Sequence, residues 1–296
     1  MKRRKAIGSL SALSAGSLLG SCESKAAIVP EGPISQSNEL PSSPINHSVC
    51  QWCYGKMPLE ELVDHAKDIG LQSIELLRPD QWDTVMLRGL TCAVGYGYSR
   101  GLNEGFNDRR LHLEMQKELI ENIPKAADKG IPTLICFSGN RNGISDKDGL
   151  EMCARGLDPV MKVAEQHGVQ IVMELLNSKV DHKGYQCDHT SWGVALVEKL
   201  GSPNFKLLYD IYHMQIMEGD IIRTIQENQK YIGHYHTGGV PGRNEIDETQ
   251  ELYYPAIMQA IAATGFKGYV AQEFIPSRGD DMASLRQGVE ICNVSI

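Results

Sequence analysis

Four short hydrophobic runs in the second half of the chain each end on a side chain able to bind a metal. They are Ile171-Val172-Met173-Glu174, Leu207-Leu208-Tyr209-Asp210, Gly233-His234-Tyr235-His236 and Tyr269-Val270-Ala271-Gln272-Glu273. Each is followed by a loop and then by apolar residues at helical spacing. In a barrel of parallel strands, successive strand ends meet at one rim, where the active sites of such barrels are built. Three carboxylates and an imidazole gathered there repel one another unless a divalent cation lies between them. The pattern therefore constrains fold and chemistry together.

From Pro44 onward, strand-like runs alternate with helix-like ones to the last residues. Strands are expected at 45–49, 71–77, 90–96, 132–137, 168–175, 205–210, 231–237 and 268–274. Helices are expected at 59–69, 80–87, 109–129, 147–167, 188–200, 219–229, 253–264 and 280–290. Gly70, Gly130 and Gly168 stand where helices should stop. Pro132-Thr133-Leu134-Ile135-Cys136-Phe137 has no polar alternation, which suits a strand buried on both faces. Eight strand–helix units predict an α/β protein, a single (β/α)8 TIM barrel over residues 44–296. A doubly wound sheet would need a glycine-rich phosphate turn after the first strand. Cys50-Gln51-Trp52-Cys53-Tyr54-Gly55 is not one.

The N-terminus has another character. Lys2-Arg3-Arg4-Lys5 precedes a small and apolar stretch, then Leu19-Gly20-Ser21-Cys22. A basic head, a short hydrophobic segment and small residues before the break describe an export signal over residues 1–21. Leucine three positions before Cys22 resembles a bacterial lipobox, so Cys22 would carry a lipid as the first mature residue. The paired arginines resemble, more weakly, a twin-arginine signal. Residues 22–43, rich in Ser, Pro and Gly, then read as a flexible tether. The expected location is the periplasm or cell envelope, with membrane contact only through that lipid. Loss of the four basic residues within 1–21 takes the formal net charge from −8 to −12. That charge argues against a nucleic-acid partner.

Of the eight cysteines, Cys92 and Cys136 lie in apolar runs and read as core. Cys50 and Cys53 have redox-motif spacing without the helix start that would lower a thiol pKa, and a disulfide between them stays open.

Glu174, Asp210, His236 and Glu273 offer oxygen and nitrogen donors and no thiolate. Such a set suits Mg²⁺, Mn²⁺ or Co²⁺ and tolerates Zn²⁺. Around them, His213 follows Asp210 by three residues, and His234 shares a strand face with His236. Arg243 sits in the turn Val240-Pro241-Gly242-Arg243, while Asn177, Lys183, Tyr185 and His189 populate the loop after the fifth strand. Glu75 ends the second strand. Trp52 and Tyr54 could wall a substrate or belong to the core. The expected substrate contacts are His213, Arg243, His234, Asn177 and Glu75.

The segments Met-Glu174-Leu-Leu-Asn177, Tyr-Asp210-Ile-Tyr-His213, Gly-His234-Tyr-His236, Val-Pro-Gly-Arg243 and Gln-Glu273-Phe together resemble the xylose-isomerase-like barrel superfamily. Within it, they are most similar to the hydroxypyruvate isomerase group of sugar isomerases and epimerases. The resemblance spans about residues 45–290. It implies one divalent metal on Glu174, Asp210, His236 and Glu273, with Glu174 and Glu273 also moving the proton. Hydroxypyruvate isomerases often carry glutamine where His236 stands, whereas ketose epimerases carry histidine, so isomerase and 3-epimerase both stay open. Related barrels often pair, which leaves room for a homodimer.

The implied reaction is an aldose–ketose type proton transfer on a small sugar or hydroxy-keto acid, through an enediolate. A lyase or dehydratase acting on oxidised sugars would use the same metal and base. An endonuclease-like phosphodiesterase would need more histidines and a basic face. A non-catalytic sugar receptor would have no need of the two glutamates.

Overall fold

The computed structural model describes residues 42–295. The expected export signal, and the tether up to residue 41, lie outside the described residues. Eight strands form one parallel sheet: β1 (Asn46–Cys50), β2 (Ser73–Glu75), β3 (Gly95–Tyr96), β4 (Thr133–Cys136), β5 (Gln170–Glu174), β6 (Phe205–Asp210), β7 (Ile232–Thr237) and β8 (Tyr269–Gln272). Their hydrogen-bonded order is β2-β1-β8-β7-β6-β5-β4-β3, with the first strand paired to the last. Single parallel bridges, Ser73 to Thr91 and Leu77 to Gly95, span the remaining seam between β2 and β3. The sheet is a nearly closed barrel.

Nine helices follow the strands among the described residues: α1 (Leu59–Ile69), α2 (Trp82–Met86), α3 (His112–Asp128), α4 (Asp146–His167), α5 (Thr190–Leu200), α6 (Ile211–Met217), α7 (Ile221–Asn228), α8 (Tyr254–Ala263) and α9 (Asp281–Cys292). Their boundaries follow local chemistry. In α1, Leu62, Val63, Ala66 and Ile69 form one buried stripe, and Gly70 closes the helix at φ 94°. Ser145 opens α4 by accepting from the Asp148 amide.

Two parts differ from the expectation. The strands expected at 71–77 and 90–96 shrink to three and two residues. Ala93 gives its amide to the Ser73 hydroxyl at 2.8 Å instead of to a backbone carbonyl. Leu76, at φ 57°, turns the chain out of strand geometry. An unexpected helix, α6, starts directly after β6. Asp210 caps it by accepting from the His213 amide, so one residue serves as strand end and helix cap.

The Cys50–Cys53 segment also corrects the sequence reading. A short 3₁₀ turn, Gln51–Tyr54, does begin there, with Cys50 at its cap. Both thiols are free, and burial pushes both well above the usual thiol range. A disulfide and an activated redox thiol are both absent. At the opposite end of the barrel, His47 of β1 is buried and bonds Asn293 at 3.3 Å. Burial, only partly opposed by that bond, lowers its pKa to about 4.

Candidate metal and proton-transfer site

The parallel ladder brings the four strand ends together. Asp210 pairs in register with His236 across β6 and β7. Glu174 pairs with Leu208, two residues before Asp210, so all three project from one face of the sheet. Glu273 follows β8 directly, its amide held by the Thr237 carbonyl at 3.0 Å. One donor atom from each of Glu174, Asp210, His236 and Glu273 lies within 4.8 Å of the other three, and all four side chains are buried. Donors about 2.1 Å from a shared cation stand no more than about 4.2 Å apart, so modest closure brings the set into coordinating range.

The unsatisfied atoms in this cluster fit a cation. His236 Nδ1 is 2.8 Å from Glu273 Oε2 and 3.3 Å from Glu174 Oε1. Yet His236 Nδ1 and Glu174 Oε1 are both buried with no hydrogen-bond partner. Such orphaned groups are costly unless something outside the protein satisfies them. The donors are oxygen and nitrogen, the chemistry of Mg²⁺, Mn²⁺ or Co²⁺.

Arg243 and Trp52 fasten the cluster. Arg243 occupies left-handed backbone at φ 57°, and its amide bonds the Gly239 carbonyl at 2.9 Å. That turn aims Nη2 at Glu273 Oε2 (2.6 Å) and Asp210 Oδ2 (3.4 Å), with the guanidinium over the Trp52 and Tyr212 rings. Trp52 Nε1 donates to Glu273 Oε1 at 2.7 Å. Burial alone would raise the Glu273 pKa, but Arg243 and His236 hold it well below the usual carboxylate range. Glu174 goes the other way, raised by burial and by the charge of Glu273. Burial likewise raises Asp210 against the pull of Arg243.

The expected substrate contacts separate. Arg243 borders a cavity of about 250 Å³ together with Glu174 and Glu273. Asn177 does not border it: its side chain bonds His213 Nδ1 and Asp181, and caps the amides of Val180 and Asp181. His213 is fully buried between Asn177 and Asp210, whose Oδ2 is 3.6 Å from Nε2. Burial lowers the His213 pKa well below the usual range, which keeps the ring neutral. Glu75 and His234 lie deeper still. Glu75 is fully buried, and its Oε1 accepts from Nε2 of both His234 and His236 at 2.8 Å. Burial opposes its ionisation, yet the two imidazoles hold its pKa at about 2. His234 faces a different cavity, at the other end of the barrel. Of the five expected contacts Arg243 alone borders the cavity beside Glu174 and Glu273; Asn177, His213, Glu75 and His234 are corrected to groups behind the rim.

Lys183 and His189 are exposed on the loop after β5, and Tyr185 is buried with its hydroxyl on the Glu174 carbonyl at 3.0 Å. Trp52 walls the cavity, whereas Tyr54 belongs to the core. The sequence reading missed the cavity's far wall: Leu76, Tyr96, Leu102, Phe137 and Leu176. It also missed His182, whose Nε2 is buried without a partner beside them. Nothing in the local sequence distinguishes His182 from Lys183 or His189.

A family model described as the xylose isomerase-like TIM barrel matches residues 63–293. The chain belongs to the xylose isomerase-like TIM barrel family. One relative in it, the 2-oxo-tetronate isomerase of Pectobacterium atrosepticum, is 30% identical over 74% of this chain and 87% of its own. A Homo sapiens protein provisionally named hydroxypyruvate isomerase is 28% identical over 79% of this chain and 80% of its own. Among solved structures, a protein titled AP endonuclease, family 2, from Brucella melitensis superposes with a TM-score of 0.72. That match has 24% identity and covers 82% of this chain and 97% of that one; it speaks for the family fold alone.

Proposed function

We propose that this protein is a divalent-metal-dependent isomerase that moves a proton beside the carbonyl of a small sugar or hydroxy-keto acid. The observation that carries the reading is the pair Glu174 and Glu273, both set against Nδ1 of His236 at one buried rim. The isomerase names of the relatives support it. Glu174, Asp210, His236 and Glu273 would hold the cation. When bound, the cation supplies Lewis-acid polarisation of a substrate oxygen.

The remaining work falls to side chains. One of Glu174 and Glu273 takes the proton from carbon as a carboxylate, and the other returns one. Trp52 and Arg243 hold Glu273 in place through both of its oxygens. Leu76, Phe137 and Leu176 exclude water from the far side.

One observation favours epimerisation of a neutral ketose over isomerisation of an acid. Among the described residues, the only lysine or arginine on the cavity wall is Arg243, already engaged by Glu273 and Asp210. A substrate carboxylate would therefore meet no basic side chain that the site's own acids have left unpaired. A relative over 48% of the chain, 32% identical, is the D-psicose 3-epimerase of Ruminiclostridium cellulolyticum.

The test is a turnover screen of hydroxypyruvate, 2-oxo-tetronate and free ketoses with Mn²⁺ in heavy water, followed by NMR. Deuterium on carbon with a moved carbonyl or an inverted centre is the expected result. Loss of water would make the protein a lyase, and no exchange with any substrate would remove the reading. Export with a lipid on Cys22 belongs to the same proposal, supported by Lys2-Arg3-Arg4-Lys5 and Leu19. Mass spectrometry of protein from a bacterial envelope fraction, showing an unmodified Cys22, would contradict it.

A further inference from the structure

We infer that Glu75 and His234 are positioning residues that fix His236 as an Nδ1 donor to the cation at the rim. The inference rests on the metal reading above and concerns how this chain builds the site.

Glu75 comes from β2, across the barrel from the four strand ends. An ionised carboxylate only accepts hydrogen bonds, so at 2.8 Å from His236 Nε2 it places the ring proton on that nitrogen. In the metal-loaded protein, where a ligand imidazole must be neutral, the lone pair then lies on Nδ1. That atom faces Glu273 Oε2 at 2.8 Å and Glu174 Oε1 at 3.3 Å, with a hydrogen bond to neither. Carboxylate to imidazole to metal is the arrangement by which an outer group sets the tautomer and orientation of a ligand histidine.

His234 completes the support. It lies two residues before His236 on β7, and the two rings meet edge to face at 5.2 Å and 88°. Its Nε2 donates to the same Glu75 oxygen, so the carboxylate is pinned from two strand positions. The other polar neighbour of His236 Nε2, Cys50 Sγ, is 3.8 Å away and too weak a partner to fix a tautomer.

Neither residue touches the reaction cavity. A carboxylate with no exposure is expensive to keep. For packing alone, an apolar side chain like the adjacent Ile74 or Leu76 would serve at that position.

The experiment uses the full chain without substrate, with Mn²⁺ for binding and Mg²⁺ for NMR. Glu75→Gln weakens the acceptor and should raise the Mn²⁺ dissociation constant roughly 10–100-fold, with an unchanged thermal melt. His234→Phe should raise it by a smaller factor. Nitrogen NMR of ¹⁵N-histidine protein loaded with diamagnetic Mg²⁺ should report His236 with its proton on Nε2 in the wild type. A folded Glu75→Gln protein that binds Mn²⁺ within twofold of wild type would overturn the inference. So would a wild-type His236 protonated on Nδ1 alone, a reading that stands even if the variants fail to fold. Wild type that binds Mn²⁺ yet turns over no substrate removes the isomerase reading and leaves this one intact. Wild type that binds no Mn²⁺ removes both.

Discussion

Strands β5 to β8 run for four to six residues each and pair in continuous ladders, apart from one register shift between β6 and β7. On the other side, β2 and β3 have three and two residues and meet only through single bridges. The regular half carries Glu174, Asp210, His236 and Glu273. Leu76 and Tyr96 beside the β2–β3 seam line the cavity wall, with Phe137 after β4 and Trp52 after β1. The contrast teaches where precision is needed. Groups that share one cation must be held to fractions of an ångström, which a hydrogen-bonded ladder provides. A wall that excludes water needs only shape, so its strands can be broken.

The largest effect should come from the regular half. Glu174→Gln and Glu273→Gln should each cut solvent deuterium incorporation by about 10³-fold, the scale of a lost acid or base. Near wild-type exchange in either variant would remove that residue from the pair. On the apolar cavity wall, Phe137→Ala should cost about 3 kcal/mol of stability, as for other buried aromatics, and lower kcat/KM while leaving Mn²⁺ affinity unchanged. A parallel loss of Mn²⁺ affinity, read by calorimetry, would show that the wall and the cation site are not separable.

Much of the regular half is legible in the sequence because each strand announces itself by a hydrophobic run and ends on a polar residue. A parallel barrel makes such ends neighbours without any further information. Arg243 is legible for a similar reason, since Pro241-Gly242 can only be a turn. Depth is what the chain does not write down. Glu75 at the end of β2 reads the same whether it faces a substrate or lies beneath a histidine. Asn177 reads as a contact although its amide is used by Asp181 in its own loop and by His213 on α6. The β2–β3 seam is hidden because Cys92-Ala93-Val94 looks like strand, while the competing partner, the Ser73 hydroxyl, is distant in sequence. Helix α6 is masked because Asp210 reads as a ligand before it reads as a cap.

Smaller effects test the floor and the surface. His47 has a folded pKa of about 4, below its unfolded value near 6.5. The unfolded chain therefore binds the proton more readily, so stability is complete above pH 6.5 and drains away as the pH falls through 4. The loss should reach no more than about 3 kcal/mol. His47→Asn should flatten that part of the profile in urea titrations at pH 7 and pH 4.5, and an unchanged slope would contradict the assignment. On the surface, Glu151 pairs with exposed Arg155 and Lys199. Glu151→Gln should change stability by less than about 0.5 kcal/mol, and a loss above 2 kcal/mol would mean that the α4–α5 surface bears more than shape.

The central claim is that one divalent cation joins the ends of β5 to β8. Crystals grown with Mn²⁺ and measured at its absorption edge address it directly. A single anomalous peak bonded to Glu174, Asp210, His236 and Glu273 is the predicted result. A map without that peak at saturating Mn²⁺, or with the ion bound elsewhere, would contradict the account.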